Sequence, residues 1–167
     1  MPSTRRHPQS RGRTRTPRVT LMLTQTATHT TVATINYATA ARAIALAIEE
    51  GAKVGVNVSA TVVDPALGLV AYGRADGTTP HSVETSRRKA NTGSSTRRPS
   101  ALVPAALSVA LEHGTGSLLT SVPGGVPLGF DGVHVGGLGV AGGPPPVDAQ
   151  IAAAVLAALG ADPVPAA

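Results

Sequence analysis

Across 167 residues there is no cysteine and no tryptophan, and only one phenylalanine and two tyrosines. Without cysteine there can be no disulfide frame, zinc–thiolate cluster or cysteine nucleophile, and the redox compartment leaves no trace in the sequence. The near absence of aromatics removes the stacking platforms on which single-stranded nucleic acids are held. Long apolar runs are missing as well. Nothing approaches the roughly 20 residues of a membrane span, and Val19–Leu23, broken by Thr20, is shorter than the roughly 7–15 residues of a signal-peptide core. The reading is a cytoplasmic protein, with export as the alternative if the start is misassigned, since Met22 is a second candidate start.

A net charge of +5 suggests a phosphate partner, but the charge is not evenly spread. Residues 1–18 hold six arginines and no acid, leaving eight Lys/Arg against nine Asp/Glu for the rest. Residues 1–30 therefore read as a disordered basic tail, 31–162 as a single domain and 163–167 as a frayed end. A tail alone can hold phosphate only nonspecifically, so no specific nucleic-acid partner is expected.

Glycine is abundant, and it concentrates where the chain is most patterned. In GGVPLGFDGVHVGGLGVAGG, residues 124–143, the Asp131-Gly132 pair lies between two apolar runs and predicts a hairpin of Val126–Phe130 with Val133–Val140. Gly136, Gly137 and Gly139 inside a strand imply that a helix, a second subunit or a ligand comes close to the main chain there.

Upstream, Ile35, Ala38, Ala41, Ile44, Ala45 and Ile48 predict a helix capped by Thr34 and ended by Gly51. Val54–Val63 and Leu69–Arg74 predict a first hairpin around Asp64-Pro65. A polar helix over His81–Thr92 should be capped by Thr79 and opened by Pro80, with Arg87, Arg88 and Lys89 near its end. Ser100 is read as the cap of a helix striped by Leu102, Val103, Ala106, Val109 and Ala110. Ser117–Val122 reads as a third strand, and Val147–Leu159 as a last helix. Short antiparallel connections with helices set apart give an α+β arrangement.

Four runs in this order, VVDPALGLVAYGRADG, SVETSRRKA, RRPSAL and the glycine-rich segment followed by Asp148, resemble the GlcG/HbpS-like heme-binding family, which includes a domain of some PduO-type adenosyltransferases. The resemblance covers about residues 34–160. It implies a profilin-like fold with a five-stranded antiparallel sheet between helices, assembly into dimers or larger rings up to octamers, and heme binding in some members. No heme-iron ligand is carried over to this chain.

No HExxH, CxxC, GxSxG or P-loop pattern occurs, and no metal site is expected. The glycine turns Gly124-Gly125 and Gly142-Gly143, meeting the first turn of the His81 helix, would frame a pocket. Arg74, Asp76, His81 and Lys89 are the further ligand-binding candidates, for a carboxylate or a heme propionate. The alternative for Arg74, Asp76 and Lys89 is a structural salt-bridge set. His134, alternating with Val133 and Val135, could be a hydrogen-bonded strand residue or a ligand, and His113 a helix cap.

Three functions fit: a heme or tetrapyrrole-binding accessory protein acting as a homo-oligomer; a small cofactor-independent enzyme on an acidic metabolite, with His81 and Glu84 catalytic; and a structural or regulatory oligomer binding a protein partner.

Overall fold

A computed structural model describes residues 28–164, within which the folded unit begins at Thr31. The basic tail expected over 1–30 and the last three residues of the expected frayed end lie almost wholly or wholly outside the described residues.

The order is α1 (Tyr37–Lys53), β1 (Ser59–Val63), β2 (Leu69–Arg74), α2 (Ser82–Thr96), two 3-10 turns (Ser100–Leu102 and Ala105–Leu107), α3 (Ser108–Gly114), β3 (Gly125–Phe130), β4 (Val133–Ala141) and α4 (Pro145–Leu159). The strands form one antiparallel sheet in the order β2-β1-β4-β3. Among the described residues the fold is α+β with four strands, not the expected five.

The missing strand is Ser117–Val122, and the reason is visible in its hydrogen bonds. Thr92 Oγ1 accepts from Thr120 N at 2.9 Å and donates to Thr120 O at 2.8 Å. Asn91 Nδ2 donates to Leu118 O, and Ser100 Oγ donates to Val122 O. Side chains of α2 and of the first 3-10 turn thus meet main-chain groups that a neighbouring strand would otherwise have served.

One face of the sheet is apolar. Val58, Ala60, Val62, Val126, Leu128, Leu138 and Val140 join Ala40, Ala43, Ile44 and Ala47 of α1 and Ile151, Ala152, Val155 and Leu156 of α4 in the core. The opposite face is paved with small residues, and α2 lies on it. A Cβ on Gly137 or Gly139 would collide with α2 main-chain atoms of Ala90, Ser94 and Ser86, and one on Gly125 with the backbone of Lys89. The close neighbour implied by these glycines is therefore a helix.

Contact through bare main chain leaves the polar groups of both elements to be matched directly. Ser59 and Ser82 hydroxyls are 2.8 Å apart, as are those of Thr61 and Ser86, and Ser94 Oγ donates to Asp64 O at 2.9 Å. All five residues of β1 are consequently buried, the polar ones against α2. This explains how a helix as polar as α2 can pack one side against the sheet.

Several boundaries differ from expectation. Asn36, not Thr34, caps α1, its Oδ1 accepting from Thr39 N at 2.8 Å. The helix runs past Gly51 to Lys53, and Gly51 is needed because a Cβ there would come within 2.6 Å of Val56 O. Val54 is the C-cap and Gly55 has φ 71°, so β1 starts only at Ser59.

Helix α2 starts at Ser82 with no side-chain cap and extends to Thr96, which puts Arg87, Arg88 and Lys89 in mid-helix rather than at the carboxyl end. Pro104 divides the helix expected after Ser100, because proline lacks the amide and disfavours helix in the residue before it. The result is two 3-10 turns and the seven-residue α3, with Val109 69% exposed instead of facing the core. The hairpin turn is found as read: Asp131 and Gly132 have φ 53° and 77°, and Phe130 pairs with Val133.

Candidate functional site

At one end of α2 a cleft of about 380 Å³ is lined by Thr79, His81, Thr85 and Lys89 from one side and by Gly142, Gly143 and Asp148 from the other. Its volume is near the low end of the roughly 300–1,000 Å³ of small-molecule sites.

Lys89 is the unusual member. It is among the largest fully buried side chains, 1% exposed, and its ammonium crosses from α2 to β4 and α4. Nζ donates to Val140 O at 2.9 Å and to Asp148 Oδ2 at 2.7 Å. Asp148, 2% exposed in the first turn of α4, accepts from Gly143 N through Oδ1 at 2.9 Å. Burial pushes the Lys89 ammonium below its ordinary range, and the hydrogen bond and charge of Asp148 act against that shift.

An ammonium carries three donors. Two of those on Lys89 have acceptors, Val140 O and Asp148 Oδ2, and Asp148 balances the charge. The start of α4 cannot add the usual row of free amides, because Pro145 and Pro146 have none.

The structure brings four of the expected site residues to this cleft: His81, Lys89, Gly142 and Gly143. Gly124 stands behind them, where a Cβ would come within 3.0 Å of Lys89 Nζ. Gly125 lies under the α2 backbone rather than on the cleft. Arg74 and Asp76 are exposed and do not line it, and Glu84 lines a separate cavity with Arg87 and Arg88. His81 and Glu84 thus share no cavity.

Among the described residues no group of three His, Asp or Glu side chains is placed to hold a metal ion. Asp148, absent from the expected site, is the partner of Lys89 in place of Asp76. Its signal was modest: one acid just inside a proline-opened helix that follows a glycine turn.

The other histidines lie elsewhere. His113 is exposed near the end of α3. His134 on β4 borders a cavity with Arg97 and Asp162, and its Nε2 is buried without a partner. Desolvation and the nearby Arg97 charge both lower its pKa.

Heme iron takes His, Met, Cys or Tyr. The chain has no cysteine and its two methionines, Met1 and Met22, lie outside the described residues. On the cleft the imidazole of His81 is the one side chain of this kind, and it is exposed, with the buried Lys89 on the same surface. The donor set fits a heme edge with its carboxylate arm.

Residues 35–157 match the family model described as "Haem degrading protein HbpS-like". Among solved structures, HbpS is 33% identical, with a TM-score of 0.72 over 80% of this chain and 95% of that one. A double mutant of Streptomyces reticuli HbpS is 32% identical, with a TM-score of 0.72 over 79% and 91%. The PduOC–heme complex, at 22% identity and a TM-score of 0.73 over 79% and 99%, shares the fold. No curated protein matches. Among the described residues no helix is long and apolar enough to cross a membrane.

Proposed function

The chain belongs to the HbpS-like family, and on that premise we propose that it is a heme-binding protein whose guest sits at the Lys89 cleft. The observation that carries this reading is the conjunction, on one open cleft, of an exposed imidazole, His81, with the buried ammonium of Lys89. His81 would hold the iron through an imidazole nitrogen, and Lys89 would receive a propionate carboxylate through a charge-assisted hydrogen bond. The porphyrin would supply an iron centre with one coordination position set by the protein.

An open cleft of about 380 Å³ leaves part of the macrocycle outside it. A second copy covering that remainder is consistent with the homo-oligomer that is part of this reading. The pairing of His81 with Glu84 as catalytic residues has no support in the geometry, since they line different cavities.

Hemin titration followed at the Soret band tests the proposal. A saturable one-site shift is expected, with an altered band position in His81→Ala and weaker binding in Lys89→Met, and no change in Arg74→Ala. An unsaturable response, or identical titrations in all variants, overturns it. Light scattering before and after loading reads the assembly.

A further inference from the structure

On the flank of α2 adjoining the Lys89 cleft, Glu84, Arg87, Arg88 and Asn91 recur at i, i+3, i+4 and i+7 and so form one stripe. They border a cavity of about 400 Å³ whose far wall is the loop Thr115–Leu118. This cavity shares none of its lining residues with the Lys89 cleft.

Two features set it apart from an ordinary solvated helix face. Among the described residues the ion pairs are Lys53–Glu50 and Lys89–Asp148, so neither arginine is neutralised by Glu84 within 4.0 Å. Asn91 is 2% exposed, and its Oδ1 is buried without a hydrogen-bond partner. The amide orientation is fixed, because Nδ2 donates to Leu118 O at 3.1 Å and a reversed amide would set two oxygens against each other. A buried acceptor left unmet is unfavourable, because it has given up its hydrogen bonds to water without replacing them. The site therefore offers two guanidinium groups to an anion and, one helical turn on, an acceptor in want of a donor.

From this arrangement we infer that the cavity binds a small zwitterion of the α-amino acid class. Its carboxylate meets Arg87 and Arg88, its ammonium donates to Asn91 Oδ1 and faces the Glu84 carboxylate, and its carbon chain rests on the half-exposed Leu118. An anion alone satisfies the arginines but leaves Asn91 Oδ1 unmet and brings a like charge towards Glu84. A ligand with a donor beside its carboxylate answers both, and the acid favours that donor being cationic.

The test is calorimetric titration of the full chain with L-leucine, 2-hydroxy-4-methylpentanoate, 4-methylpentanoate and 3-methylbutylamine, which share one carbon skeleton and differ in the groups they carry. Saturable binding of leucine is expected, about tenfold tighter than that of the hydroxy acid and tighter still than that of the carboxylate or the amine. Arg87→Gln and Arg88→Gln should each weaken leucine by about tenfold with an unchanged thermal midpoint, which shows that the variants are folded. Glu84→Gln should weaken leucine without weakening the hydroxy acid.

Equal affinity for leucine and 4-methylpentanoate, no saturable binding of leucine, or binding untouched by the arginine substitutions each overturns the inference. Hemin titration of the same variants should match the unaltered chain, so this inference and the heme reading fail separately.

Discussion

Lys89 Nζ and Asp148 Oδ2 are 2.7 Å apart and almost wholly removed from water, tying the middle of α2 to the first turn of α4. Removing one partner leaves the other as an isolated buried charge. Asp148→Ala should therefore cost about 3–5 kcal/mol in urea unfolding, whereas Lys89→Met combined with Asp148→Leu should recover much of the loss, since an apolar pair needs no desolvation. A double variant no more stable than Asp148→Ala would show that the pair does more than neutralise itself.

The small-residue surface beneath α2 is testable by filling it. Gly139→Ala puts a methyl into the α2 backbone at Ser86 and Ala90 and should cost about 1–3 kcal/mol. Gly114→Ala meets nothing within 4 Å and serves as the control, with no loss expected. Chemical denaturation of the two variants side by side decides the matter.

Thr92 can be probed without changing its shape. Thr92→Val keeps the volume but strands the Thr120 amide, so a loss of about 1–3 kcal/mol is expected. Hydrogen exchange at Thr120 should speed up more than exchange in β4. Uniform acceleration across the domain would mean that the loop is not held locally.

His134 should make stability depend on pH in a predictable direction. Its folded-state pKa lies below the ordinary 6.5, so the unfolded chain binds the proton more readily. The stability it contributes is complete above pH 6.5 and declines as the pH drops through 6.5 towards the depressed folded value. Arg97, which adds to that depression, and the acidic Asp162 border the same cavity. In His134→Gln the decline in urea midpoint just below pH 6.5 should flatten; an unchanged slope would assign it to other groups.

Much of the architecture could be read from local pattern. Asp131-Gly132 specified its hairpin because few residues accept positive φ, and the alanine-rich periodicity located α1 and α4. The expected third strand did not survive, because Ser117–Val122 is held by side chains of Asn91, Thr92 and Ser100, contacts that no nearest-neighbour pattern encodes. The expected helix after Ser100 neglected Pro104.

The candidate site was partly legible. His81, Gly142 and Gly143 converge because turns and the start of α2 collect at one end of the sheet, and the Lys89 side chain joins them from mid-helix. Asp148 lies fifty-nine positions from Lys89, and nothing in the periodicity of either helix signals the pairing. Asn91 escaped attention because an asparagine in a polar helix looks solvated until the loop Thr115–Leu118 is found folded against it.

The glycine-lined floor beneath α2 has a mechanical corollary. Bare main chain offers no knobs to interlock with, so little steric resistance opposes travel of α2 along its own axis. Its station is kept instead by discrete fasteners: the Ser59–Ser82 and Thr61–Ser86 hydroxyl contacts, the Lys89 ammonium, and the bonds of Asn91, Thr92 and Ser94 to Leu118, Thr120 and Asp64. A molecule that recruits Lys89 therefore draws on one of the bonds that fix where α2 lies along the sheet.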